Sequence, residues 1–360
     1  MTFKKVYFLT IVLGLIKFLF AFITFSTNNL DFGSQIIGYD EISWQNSSLF
    51  FFENGLGFDA IKASFMQENA FMNGGWPYLI GIFHNIFGAQ YINVIIARIV
   101  IFFFAANSLY KLLLDKGHRN TAAVLSLLFL TFYHPFLVAD ATFLRDDMIV
   151  YVIILLLRLS SVKTSLGALF AVPLFLVFTY FLILTRPAGF LVFISLYLFY
   201  FRLFRIMHLF FLIPPFIAIS VAGQNIFSYS WNFLSTYQPD LGQIAFLSLK
   251  YYIGPFPWNM IGVDSGYNPV WYFLTLSIIL VTFLFKDFYY SLIKEWKTIL
   301  ALFFVGLFPY IISNQNLDAV GPRQFAMVGP FLFIILYCEL ISEFLIRLFK
   351  VRTTTNLQEG

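Results

Sequence analysis

The sequence predicts an all-α polytopic membrane protein of about ten transmembrane helices, and three observations carry that expectation. Hydrophobic residues make up 60% of the chain, fifty of them phenylalanine, and the mean hydropathy is +0.83. Soluble domains are nearer about 45–50% apolar. Charged residues are only 11%, and the apolar residues gather in runs close to the roughly 20 needed to cross about 30 Å of hydrocarbon. Finally, basic and acidic residues segregate to opposite sides of the runs, as the positive-inside rule requires.

Taken in order, spans are expected at about residues 6–25, 90–114, 120–138, 143–162, 165–185, 188–204, 208–224, 270–285, 298–314 and 325–346. The first follows a short basic start, Met1 to Lys5, and lacks a small-residue cleavage site, so it reads as a retained helix with its N-terminus inside. With that orientation, 15 of the 22 Lys and Arg fall on the inner side, whereas 12 of the 18 acids fall outside, including every acid from Asp31 to Glu68. The net charge of +4 is therefore a topology signal, and nucleic acid is not an expected partner. The chain reads as one integral membrane domain over 1–352 with a disordered cytoplasmic tail at 353–360.

Only two outer loops are long, 26–89 and 225–269, the first and fourth, whereas every inner loop is short. Binding and catalytic residues concentrate on loops held by a rigid scaffold, which places an elaborate site on the extracytoplasmic face. Within those loops, 41–53, 77–88 and 240–254 carry aromatics on one side, the pattern of helices lying in the membrane interface. Such helices either seal the bundle or roof a cavity for a lipid-linked substrate. The single cysteine, Cys338, forms no internal disulfide, and the four scattered histidines suggest no metal site.

Two charged constellations stand out. Asp40 and Glu41 sit side by side in the first outer loop, within GYDEISW. A carboxylate desolvated among Trp and Phe near a cation suits general-base work, although acids also simply populate outer loops. Arg145, Asp146 and Asp147 open the fourth span. Acids there favour a helix N-terminus, but Arg145 runs against the positive-inside bias, and a guanidinium suits bidentate contact with phosphate. Arg186 in LTRPAGF and Arg323 in AVGPRQF share that anomaly, each beside a proline at a tight junction. Each is equally explained by an outer acid or a lipid headgroup. Lys17 and Arg98 lie within spans; Lys17 is too deep to reach water easily, so a buried partner is expected. Glu339 and Glu343 share a helix face and suit partners in neighbouring basic loops.

The first-loop YDE of Tyr39–Glu41, the stretch GGWPYLIGIFHNIFG followed by Arg98, FLRDD after the third span, and GPRQFAMVGPFLFIILY opening the last helix together resemble the GT-C superfamily of polytopic glycosyltransferases, which includes protein O-mannosyltransferases and lipid A aminoarabinose transferases. The resemblance covers layout and short motifs across most of the chain. It implies Asp40 as catalytic base or as ligand of a divalent metal, with Glu41 supporting it. It also implies Arg145 and Arg323, with Arg186 and Arg98 assisting, as holders of the phosphate of a polyprenyl-phosphate sugar. The large soluble C-terminal domain of some members is absent. No other cofactor is implied; the partners would be a lipid-linked sugar donor, a glycan or glycolipid acceptor and membrane lipids, in a bacterial inner membrane with both termini cytoplasmic.

Two other readings stay open. A polymerase or ligase of O-antigen type binds its lipid-linked glycan through arginines in two large outer loops, yet here those loops hold Lys62 and Lys250 and no Arg. A flippase for lipid-linked sugars tends to break its helices at matching points in two halves, whereas Pro173, Pro214, Pro215 and Pro309 interrupt spans without clear counterparts.

Overall fold

The computed structural model describes residues 3–27, 39–57, 60, 75–133, 136, 145–162, 165–203, 286–313 and 327–355. Among them the chain is helical and contains no strand: α1 (Phe3–Thr27), α2 (Tyr39–Asn54), α3 (Gly75–Phe87), α4 (Tyr91–Asp115), α5 (Asn120–Phe132), α6 (Asp146–Ser160), α7 (Ser165–Thr185), α8 (Pro187–Ser195), α9 (Lys286–Lys294), α10 (Trp296–Ser313), α11 (Gly329–Leu336) and α12 (Cys338–Thr355). By length and composition α1 and α4 can each cross a membrane, and α11 with α12 make a third span if their 40° bend lies within one crossing. The expected spans at 208–224 and 270–285, the loop 225–269 with its helix, and Arg323 lie outside the described residues.

α6 is the centre. Met148 through Ile154 are all almost fully buried, as expected for a helix that is apolar around its whole circumference. It packs against α4, α7 and α8; α4 in turn carries α1, α3 and α5, while α10 leans on α8 and α12 on α5. In lipid the apolar transfer term between helices is small, so close packing and polar contacts hold such a bundle. Gly189 illustrates the closeness: a Cβ there would fall 2.9 Å from Leu182 Cδ1 and 3.0 Å from Ile149 Cγ2, joining α8 to both α7 and α6.

α1 shows how one helix divides between a buried and an exposed face. Val6, Thr10, Leu13, Lys17 and Ala21 recur at steps of three and four and are buried, whereas Phe8, Ile11, Leu15, Leu19 and Ile23 on the other faces are exposed. A water-soluble protein does not present so continuous an apolar surface. Asn107 on α4 donates to Thr10 Oγ1 at 3.0 Å across the α1–α4 contact.

Several helices are shorter than their apolar runs. The span expected at 120–138 gives a helix that stops at Phe132, with Tyr133 extended (φ −63°, ψ 115°). Pro135, two residues on, has no N–H to continue the ladder and disfavours helix in the residue before it. The span expected at 143–162 contributes fifteen helical residues from Asp146. α8 widens into a π turn over Leu196–Tyr200, and Arg202 takes a left-handed backbone, φ +52°. The run at 325–346 is divided at Tyr337, and α12 continues to Thr355, three residues into the expected tail.

α2 and α3 occupy the first long loop as a packed pair. Gly81 permits it, since a Cβ there would lie 2.6 Å from Phe51 Cβ. Asn85 donates to Phe51 O at 3.1 Å and the Phe51 and Tyr78 rings meet edge-on at 5.2 Å. Gly81→Ala is expected to lower stability by about 1–3 kcal/mol through overpacking, read as a drop in thermal unfolding temperature in detergent micelles; an unchanged temperature would mean that the α2–α3 contact yields freely.

Candidate functional site

The N-terminus of α6 is a crossroads, because three consecutive side chains leave it towards three different elements. Arg145, the residue capping the helix, lies with its guanidinium carbon 4.7 Å from the ring centre of Trp44 on α2. Asp146 Oδ1 receives Arg186 Nη1 at 3.2 Å from the α7–α8 corner. Asp147 Oδ1 lies 3.5 Å from Arg98 Nη1 on α4. Successive helical positions are about 100° apart, so a run of three polar residues on one turn must fan out in this way.

Each arginine is set by its own local structure. Arg186 caps α8 in extended conformation; Pro187 begins the helix with φ already fixed, and Arg186 N–H reaches back to Leu182 O at 2.8 Å. Arg98 lies under Trp76 of α3, 4.6 Å from the ring centre, and is 1% exposed. Trp76 is brought there by its neighbour Gly75, where a Cβ would fall 2.6 Å from Thr185 Oγ1 and 3.0 Å from Phe181 O. Thus Arg98, Trp76, Gly75, Thr185, Arg186, Asp146 and Asp147 close a ring around one end of the bundle.

Deeper in the bundle, Lys17 is fully buried, with its ammonium 5.2 Å from the Phe102 ring centre and close enough to Asp147 to act on its charge. Asp147, which pairs with Arg98, is thus one of the charges that Lys17 acts on. The Trp44 indole Nε1–H donates to no acceptor.

The structure thus brings three of the six expected site residues together: Arg98, Arg145 and Arg186. Asp40 and Glu41 lie in the first turn of α2, the turn before Trp44; Arg323 is outside the described residues. Among the described residues no group of three or more His, Cys, Asp or Glu could hold a metal ion, and Asp146 and Asp147 face arginines. Sequence reasoning credited those two acids with favouring a helix N-terminus, and they do lie in the first turn of α6. It did not identify them as arginine partners, nor Trp44 and Trp76 as platforms; an Arg-Asp-Asp run in so apolar a chain was the available signal.

His84 lies at the back of α3, fully buried and edge-on to Phe52 at 6.3 Å. Burial lowers its pKa from the ordinary value, opposed more weakly by the backbone at Gly88. The unfolded chain therefore binds the proton more readily, so stability is complete above about pH 6.5 and falls as the solution is acidified below it. Thermal unfolding between pH 7.5 and pH 5 should show a decline that His84→Gln reduces; equal slopes for the two proteins would remove His84 as its source.

At the opposite end of the bundle the basic α4–α5 junction meets acids from distant helices. His118 Nδ1 pairs with Glu339 Oε1 at 2.8 Å and its Nε2 with the Tyr200 hydroxyl at 2.7 Å, while Arg119 Nη2 donates to Glu343 Oε1 at 2.9 Å. Glu339 and Glu343 thus have the basic-loop partners their spacing suggested. Lys116 Nζ lies 3.3 Å from Glu295 Oε1; burial nonetheless pulls its ammonium down to about 8. Together with Arg158 and Asp115 at 2.9 Å, these pairs fasten that end.

Comparison with known proteins adds nothing to this geometry: no protein-family model, no curated protein and no solved structure matches the chain.

Proposed function

We propose that the chain is an inverting glycosyltransferase of GT-C type, moving a sugar from a polyprenyl-phosphate-linked donor to a glycan or lipid acceptor. In this reading the protein is a bundle of about ten spans in a bacterial inner membrane, with both termini cytoplasmic, α2 and α3 at the extracytoplasmic interface, and the Arg98–Arg145–Arg186 end facing outward. One observation supports it most: arginines from α4, the start of α6 and the α7–α8 corner meet at one end of the bundle, and the helix bearing Asp40 and Glu41 is fastened to that end through Trp44. Buried cations are costly in a membrane and mark sites where negative charge is handled.

The chemistry follows from those groups. Asp40 takes the proton from an acceptor hydroxyl, with Glu41 supporting it, as that oxygen attacks the anomeric carbon. The bond from that carbon to the phosphate oxygen breaks, and its electron pair leaves with the phosphate. Arg145 and Arg323 stabilise the charge developing there, while Arg98 and Arg186, each held by an aspartate, keep the local field positive.

The test is transfer of radiolabelled sugar from polyprenyl-phosphate donors in proteoliposomes of the purified protein, with Asp40→Ala as control. Transfer by the wild type and none by the variant is the expected result. Lipid-linked sugar crossing the bilayer without a new glycosidic bond, and indifferent to position 40, would replace this reading with a flippase.

A further inference from the structure

We infer that Trp44 is itself a ligand-binding residue: its indole N–H, together with the Arg145 guanidinium over its face, receives a phosphoryl oxygen of the lipid-linked donor. The inference rests on the proposed function and assigns one contact within it. Trp44 is 9% exposed, and its Nε1–H is shielded from water without any acceptor. A buried tryptophan N–H ordinarily finds a partner, and leaving a buried donor unmatched is costly. The missing group must be an acceptor. The Arg145 guanidinium carbon lies 4.7 Å from the ring centre, so an anionic acceptor at the indole N–H would meet a cation beside it.

The location narrows the class of ligand. Trp44 occupies the second turn of α2, directly after the turn that holds Asp40 and Glu41, and it touches the residue that caps α6. A phosphoryl group held there would stand between the arginine cluster and the helix carrying the acidic pair, where a departing phosphate belongs in the reaction above. The arrangement also gives Trp44 a positioning role, since its ring spaces α2 from Arg145. In the ligand-free protein the N–H is covered, so a bound phosphoryl oxygen displaces whatever covers it. A donor in such a dry setting interacts with charge more strongly than a hydrated one.

The experiment replaces Trp44 with 3-benzothienylalanine, an isostere that keeps the fused ring and lacks the N–H, and in parallel makes Trp44→Phe. Binding of undecaprenyl phosphate to each protein in detergent micelles is titrated beside unliganded thermal unfolding. Removing one hydrogen bond to a charged acceptor should weaken binding about ten- to a hundredfold, with the isostere's unliganded unfolding temperature unchanged or higher, because the lost N–H had no partner. Binding equal to wild type overturns the Trp44 contact and leaves the glycosyltransferase reading intact. No binding by the wild type overturns both. If neither variant folds, the indole 15N–1H signal of Trp44 in the wild type decides: a downfield move on adding undecaprenyl phosphate supports the contact and an unmoved signal overturns it. Phosphatidylglycerol is the comparison ligand; an equal response to it identifies a general headgroup site and overturns the donor assignment.

Discussion

Asp147→Asn is expected to destabilise the folded protein by about 3–5 kcal/mol, the largest loss for any single conservative change in the described residues. The side chain keeps its shape, so packing survives; the negative charge does not. Arg98, 1% exposed, then loses the carboxylate 3.5 Å from its Nη1. Arg98→Ala should cost a similar amount, to which the lost Trp76 stacking adds about 0.5–2 kcal/mol. The charge term dominates because an uncompensated ion in a low-dielectric interior has no water to turn to. Replacing both partners with apolar residues, as in R98M/D147L, should recover most of the loss, since a well-packed apolar pair is often as stable as the ion pair it replaces. Thermal unfolding in detergent separates the cases: a double variant as unstable as either single one would show that shape, not charge, holds this junction.

Asp40→Asn is expected to lower the rate of sugar transfer by about a hundred- to ten-thousandfold, the usual worth of a positioned general base, while leaving the fold intact. Position 40 lies in the first turn of α2, where Asn is as acceptable as Asp to the helix start. Because a proton acceptor acts in the chemical step, the loss should appear in kcat with KM for the donor little changed. Arg145→Lys, by contrast, should raise KM for the donor, since an ammonium cannot give the planar, two-pronged contact of a guanidinium. Transfer that survives Asp40→Asn at full rate would remove the base from the mechanism and leave the arginines as a binding site without an assigned chemistry.

What the sequence conveyed depended on what its residues average. The membrane class, α4 and α7 follow directly from apolar runs: spans expected at 90–114 and 165–185 correspond to helices Tyr91–Asp115 and Ser165–Thr185. A hydropathy window adds apolarity over some twenty residues and ignores backbone direction, so it carried the expected spans through Tyr133 and Tyr337, where the helices break. Pro135 supplied a local reason at the first; no comparable residue marks the second. The arginines were legible because charge is rare here and Arg145, Arg186 and Arg98 violate the expected distribution. Trp44 and Trp76 were not, because among 21% aromatic residues a ring that stacks on a guanidinium looks like any other until the chain is folded.

The fully buried Lys17 also constrains how the protein is made. α1 is synthesised before α4 and α6, and an ammonium at the centre of a membrane-spanning helix raises the cost of insertion by about 2.5–3.5 kcal/mol. Asp147, a carboxylate on which that ammonium acts, is synthesised roughly 130 residues later, after α4. Until then α1 would depend on its eight or so strongly apolar, exposed side chains to remain in a bilayer. Assembly of this end of the bundle is therefore ordered in time: the first helix is inserted early and its rotational setting is fixed late, and a ribosome stalled before Asp147 should leave a first segment that alkali extracts more readily than the finished protein.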